Sequence, residues 1–218
     1  MTDYDAVVFD NDGVLVELTG VETLREAATR AFADVGVDDP PASFVDRVAE
    51  ADLSVLDEVE RRYDVAPDTY WASRDEWAAR LQCELLRDGG KPLYGDVEAV
   101  RDMPGEKGIV SNNQQATVEC VVERYGLSDA FDRVVGREMS LAGARRRKPD
   151  PHYLDEVLAD LGAGTALYVG DSPTDVVTAE RAGADAAFLR RPDRDPVTLD
   201  RDPAYRVADL WELADLLG

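Results

Sequence analysis

Apolar and polar positions alternate along this chain in two distinct rhythms. From Asp5 to Phe9 the residues after the aspartate are contiguous, apolar and partly β-branched, the mark of a short strand buried on both faces. Then the period changes. Between Val21 and Asp88 the segments VETLREAATRAFADVG, ASFVDRVAEADLSVLDEVERRY and PDTYWASRDEWAARLQCELLRDG place apolar residues three and four apart, which predicts an all-helical block. From Gly95 onward the two rhythms take turns. A helix around 96–102 precedes the strand KGIVS, and the helix QQATVECVVERYG leads to a strand around 133–136. The helix DPHYLDEVLADLG, the strand ALYVGD, the helix PTDVVTAERAG and the strand AAFLR follow. RRPDRDPVTLDRDP reads as a polar, proline-punctuated surface loop, and RVADLWELADLLG as a closing amphipathic helix.

Strands separated by helices predict right-handed crossovers and a parallel sheet. The expected architecture is a doubly wound, Rossmann-like α/β core made of residues 1–16 and 92–218, interrupted after its first strand by a helical cap over 17–91. Ligands of open parallel sheets bind beyond the carboxyl ends of the strands. At those ends stand Asp10 and Asp12, then Ser111, Asn112 and Asn113, then Asp171 and Asp175, with Lys148 in a loop ahead of a helix. Two carboxylates at the end of a buried strand raise each other's pKa unless a cation lies between them. Oxygen groups of this kind suit Mg²⁺, which is held by one or two carboxylates together with phosphate oxygens. Taken singly, Asp12 would serve as a helix N-cap and Asp175 as a first-turn acid; it is their joint placement that points to a site.

The stretches FDNDGVL, IVSNN, RKPDP and VGDSPTD, in this order, resemble the four motifs of the haloacid dehalogenase superfamily. The helical insertion resembles the cap of its phosphoglycolate phosphatase and β-phosphoglucomutase branch. The resemblance implies that Asp10 is a nucleophile forming an aspartyl-phosphate, and that Asp12 is the acid and base. It implies Mg²⁺ bound by Asp10, the Asp12 backbone carbonyl and Asp171, with Asp175 orienting them, and the phosphoryl group held by Ser111, Asn112 and Lys148. The implied reaction is hydrolysis of a small phosphorylated metabolite, the alternative being a β-phosphoglucomutase-like phosphomutase. A 2-haloacid dehalogenase is disfavoured, because those enzymes need no metal and typically lack a counterpart of Asp12. A phospho-receiver is shorter, has no inserted cap, and would not keep a base beside its phosphorylated residue. Asn11 departs from the resemblance, since an apolar residue usually stands between the two aspartates.

Charge narrows the partners. Forty-six acidic residues against twenty-four basic ones give a formal charge of −22, which disfavours nucleic acid and anionic membrane surfaces. The run RRRK ending at Lys148 is an exception that would attract a dianionic substrate, with Arg145, Arg146 and Arg147 themselves on the surface. No apolar window spans a bilayer and MTDYDAVVFD lacks a basic leader, so a cytoplasmic protein is expected. Cys83 and Cys120 read as two ordinary, partly buried thiols, and His152 as a packed or capping residue. Trp71, Trp77 and Trp211 read as core or cap-interface anchors. The oligomeric state leaves no mark in the sequence. An acidic surface with lysine only at 91, 107 and 148 resembles that of proteins from high-salt cytoplasm. Screening shortens the Debye length from about 30 Å at 0.01 M to about 3 Å at 1 M, so the melting temperature should rise from low to molar KCl. A melting temperature that stays flat or falls with salt would contradict the high-salt reading.

Overall fold

The computed structural model describes residues 4–191 and 197–218. Six strands form one parallel sheet: β1 (Ala6–Phe9), β2 (Glu106–Gln114), β3 (Arg133–Arg137), β4 (Ala166–Gly170), β5 (Asp185–Leu189) and β6 (Tyr205–Val207). Their order is β3-β2-β1-β4-β5-β6, so β1 is central, with Phe9 in register with Ile109 on one side and Val169 on the other. Every residue of β1 is buried, which is why its sequence carries no polar alternation.

The helices are α1 (Val21–Asp34), α2 (Ala42–Ala49), α3 (Leu56–Tyr63), α4 (Pro67–Arg87), α5 (Gln115–Tyr125), α6 (Leu141–Arg145), α7 (His152–Leu161), α8 (Pro173–Ala182) and α9 (Leu210–Leu217). Successive strand residues face opposite ways, so Phe9, Ile109 and Val169 pack with Val118 of α5 and Leu213 of α9. Val8, Val110 and Tyr168 pack on the other face with Val157 of α7 and Val176 of α8. The inserted α1–α4 bury a cluster of their own around Phe32, Phe44, Leu56, Tyr70 and Trp71, which Leu141 and Ala144 of α6 complete. Both chain crossings into this insertion run side by side: Val16 bridges Leu93, and the Glu17 N–H donates to Pro92 O at 3.0 Å.

Helix α4 is tied to the core twice. Asp75, fully buried, takes both ends of the Arg137 guanidinium at the close of β3, and Arg74 and Gln114 donate to it as well. Eight residues on, Cys83 forms a disulfide with Cys120 of α5. The expectation of two independent thiols is therefore corrected. The cysteines lie 37 positions apart, and only the packing of α4 on α5 brings their Cα atoms to 5.8 Å.

Other expectations shift at the C-terminal side. The segment from Tyr205 to Val207 extends the sheet as β6, and the closing helix begins only at Leu210, capped by the Asp209 side chain on the Glu212 N–H at 2.8 Å. Trp211 is 46% exposed, because Leu210, Leu213 and Leu217 carry the buried stripe of α9. Residues 95–102 form a 3₁₀ helix, and α6 is a short helix that periodicity did not signal. Part of the polar loop expected after β5, residues 192–196, lies outside the described residues. Its second arginine, Arg191, is no surface residue. It is buried, pairs with Asp96 at 2.5 Å, donates to Val14 O at 2.5 Å and lies 3.8 Å over the Tyr94 ring. The same Asp96 oxygen accepts the Leu210 N–H at 2.7 Å, so one guanidinium joins β5, the loop after β1, residues 94–96 and the start of α9. Arg191→Met should leave Asp96 buried without its cation and cost about 3 kcal/mol or more of stability. A urea midpoint lowered at unchanged m value would register this; an unshifted midpoint would contradict it.

Candidate active site

Directly after β1 the chain continues the sheet ladder for one more residue, the Asp10 N–H donating to Val169 O at 2.8 Å. It then folds back on itself. Asn11 O accepts the N–H groups of Leu15 and Val16, and Gly13 turns the chain at φ 82°, a left-handed conformation costly for any residue with a Cβ. This tight turn holds Asp10 and Asp12 at one rim. At the end of β2 the register slips between Ser111 and Gln114, and the Ser111 hydroxyl oxygen accepts the Asn113 N–H at 3.1 Å. At the end of β4, Gly170 has no alternative, since a Cβ there would lie 2.2 Å from Asp175 Cβ. The Asp175 carboxylate closes a capping box with Ser172 at the start of α8.

Lys148 comes from the loop before α7, fixed by its own N–H donating to Asn112 Oδ1 at 2.8 Å. Its ammonium is buried and meets Asp10 Oδ1 at 2.8 Å, Asp175 Oδ1 at 2.7 Å and the Tyr168 hydroxyl at 2.9 Å. Burial alone would lower its pKa, but Asp10 and Asp175 outweigh that and hold it well above the usual lysine range. Burial pushes the Asp10 carboxyl up to about 8; Lys148 pulls against this, while Asp175 and Asp171 push further the same way. Carboxylate oxygens of Asp10, Asp171 and Asp175 lie within 4.8 Å of one another. Three acids so placed, with one ammonium among them, make a donor set suited to a hard divalent cation. Asp175 has both oxygens committed to Lys148 and Ser172, which suits an orienting position better than a ligand position.

Asp10, Asp12, Ser111, Asn112 and Asp171 from three strand ends, and Lys148 from its loop, thus line one cleft of about 330 Å³. The insertion supplies its outer wall with Leu18, Thr19, Leu24 and Gln82. Asn11, the departure from the motif, is buried, its side-chain amide donating to Asp12 Oδ2 at 3.0 Å. Arg145 and Arg146 are exposed and the His152 ring packs on Tyr153, all away from this wall. Sequence reasoning passed over Lys91. It is fully buried on the returning crossing and pairs with Asp12 across 79 positions. Nothing local marked it beyond the scarcity of lysine.

A doubly wound parallel sheet with acidic strand ends under an inserted helical cap defines a capped, Rossmann-like α/β protein. The chain belongs to the haloacid dehalogenase-like hydrolases, whose family model matches residues 4–183. It is 32% identical over 200 residues to a phosphoglycolate phosphatase of Rhodospirillum rubrum, covering 84% of this chain and 78% of that one. The fold resembles a predicted phosphoglycolate phosphatase from Haemophilus somnus, with TM-score 0.67, 18% identity and full coverage of both chains. It resembles equally CbbY from Rhodobacter sphaeroides in complex with phosphate, with TM-score 0.67, 20% identity and 96% coverage of each chain.

Proposed function

We propose that this chain is a phosphoglycolate phosphatase-like phosphomonoesterase, Mg²⁺-dependent, acting on a small phosphorylated metabolite through an aspartyl-phosphate on Asp10. The carrying observation is the buried meeting of Asp10 with Lys148 at the strand ends, beside Asp171 and under residues of the cap over 17–91. Asp10 Oδ1 accepts from Lys148 and from the Asn11 N–H at 2.7 Å, and we assign the attack to Oδ2. That oxygen bonds to phosphorus as the bond from phosphorus to the substrate oxygen breaks, and Asp12, protonated at that moment, gives its proton to the departing alkoxide. Asp12 then takes a proton from water, the water oxygen bonds to phosphorus, and the Asp10 carboxylate is restored with release of inorganic phosphate. The Ser111 hydroxyl already accepts from Asn113, which leaves its hydrogen for a phosphoryl oxygen beside the Lys148 ammonium. Asp10, the Asp12 backbone carbonyl and Asp171 would hold Mg²⁺, with Asp175 orienting. The ion supplies positive charge against which an anionic phosphate and an anionic nucleophile can approach.

The size of the cleft and the −22 charge both favour small substrates over polyanions. Asp10→Asn should abolish release of phosphate while leaving the circular-dichroism spectrum unchanged, and excess chelator should stop the wild-type enzyme until Mg²⁺ is restored. Near-normal rates in Asp10→Asn, or with chelator present, would remove this mechanism. Across a panel holding 2-phosphoglycolate, short sugar phosphates, a phosphopeptide and a 3′-phosphorylated oligonucleotide, kcat/KM should be highest for a small phosphate. A large substrate preferred over all the small ones would defeat the reading, and conversion of β-glucose 1-phosphate to glucose 6-phosphate would favour a mutase.

A further inference from the structure

Asp12 has no freedom of orientation in this structure, and the groups that hold it come from both the core and the insertion. Asn11 and Asn113 each donate a side-chain N–H to Oδ2, and the Lys91 ammonium donates to Oδ1. Lys91 also reaches Thr19 Oγ1 at 3.0 Å on the outgoing crossing and Gln82 Oε1 at 3.4 Å on α4. Gln82 is fully buried and spends its whole amide here. Its Oε1 accepts from the Thr19 hydroxyl at 2.6 Å and its Nε2 donates to Asn113 Oδ1 at 3.1 Å. Asp12, Lys91, Gln82 and Asn113 therefore close a ring in which every donor meets an acceptor.

We infer that Lys91 and Gln82 are positioning residues for Asp12, so that the insertion supplies part of the acid–base machinery as well as a wall of the cleft. This rests on the phosphatase reading of Asp12 given above. Three features fix the ring in place. Lys91 sits where the two crossings pair, so its main chain is braced against the strand-end loop that carries Asp12. The turn of α4 that bears Gln82 is adjacent to Cys83 and thus bonded to the core through Cys120. Burial then makes the arrangement exacting, because an ammonium or an amide shut away from water loses most by letting go of a partner. A carboxylate that must first face the leaving oxygen and later a water has to be placed within a fraction of an ångström. Lys91 and Gln82 contribute to that requirement from outside the four motifs.

Lys91→Met and Gln82→Ala, each compared with wild type and Asp12→Asn in the intact chain, test this with 4-nitrophenyl phosphate. Nitrophenolate leaves without needing a proton, so phosphorylation of Asp10 should stay fast in both variants, whereas hydrolysis of the intermediate needs Asp12 as base. The expected result is a burst of one nitrophenolate per enzyme, then a steady rate lower than wild type by about tenfold to a hundredfold, with affinity for inorganic phosphate retained. Asp12→Asn should show the same burst with a slower steady rate. Loss of the burst together with loss of phosphate binding in both variants would mark a merely structural role and overturn the inference. So would steady rates in both equal to wild type while Asp12→Asn is slow. If Asp12→Asn itself matches wild type, it is the reading of Asp12 that fails.

Discussion

One buried ammonium sets the terms for the whole rim of the sheet. Asp10 and Asp175 approach from the end of β1 and the start of α8, and Lys148 stands between the two carboxylates, pairing with both. Lys148 is held in turn by Asn112 of β2 through its main chain and by Tyr168 of β4 through its side chain. Three neighbouring strands are thus joined at their carboxyl ends by a charge as well as by ladder hydrogen bonds. Burial nevertheless holds the Asp10 carboxyl above its usual range, with Asp175 and Asp171 pushing the same way, and a cation beside it would favour the charged form.

The fold was legible in the sequence wherever a rhythm was long or buried on both sides. AVVF and ALYVG read as strands, and the three- and four-residue spacing between Val21 and Asp88 as helices, and both are found so. The strand-end acids were legible for a related reason, since charge abutting an apolar run is costly and so conspicuous. What stayed hidden depends on contacts between distant segments. Lys91 meets Asp12 across 79 positions, Arg191 meets Asp96 across 95, and Cys83 meets Cys120 across a helix packing that no local pattern encodes. The strand at Tyr205–Val207 was lost because three residues at a sheet edge are too few to establish a period.

Asn11 shows how a departure from a motif can be absorbed. An amide replaces apolar bulk, and its N–H finds Asp12 while its main-chain oxygen anchors the return of the turn through Leu15 and Val16. Its Oδ1 has no hydrogen-bond partner among the described residues, a cost of about 1–3 kcal/mol set against the bond gained.

The two attachments of α4 carry a mechanical consequence. Asp75 and Cys83 are separated by eight residues of a continuous helix, about 12 Å at 1.5 Å per residue. Two ties that far apart along one helix resist its tilting against the core, and the paired crossings at Val16 and Leu93 add a further hold on the insertion. Gln82, next to Cys83, is thereby seated beside the covalent tie between insertion and core.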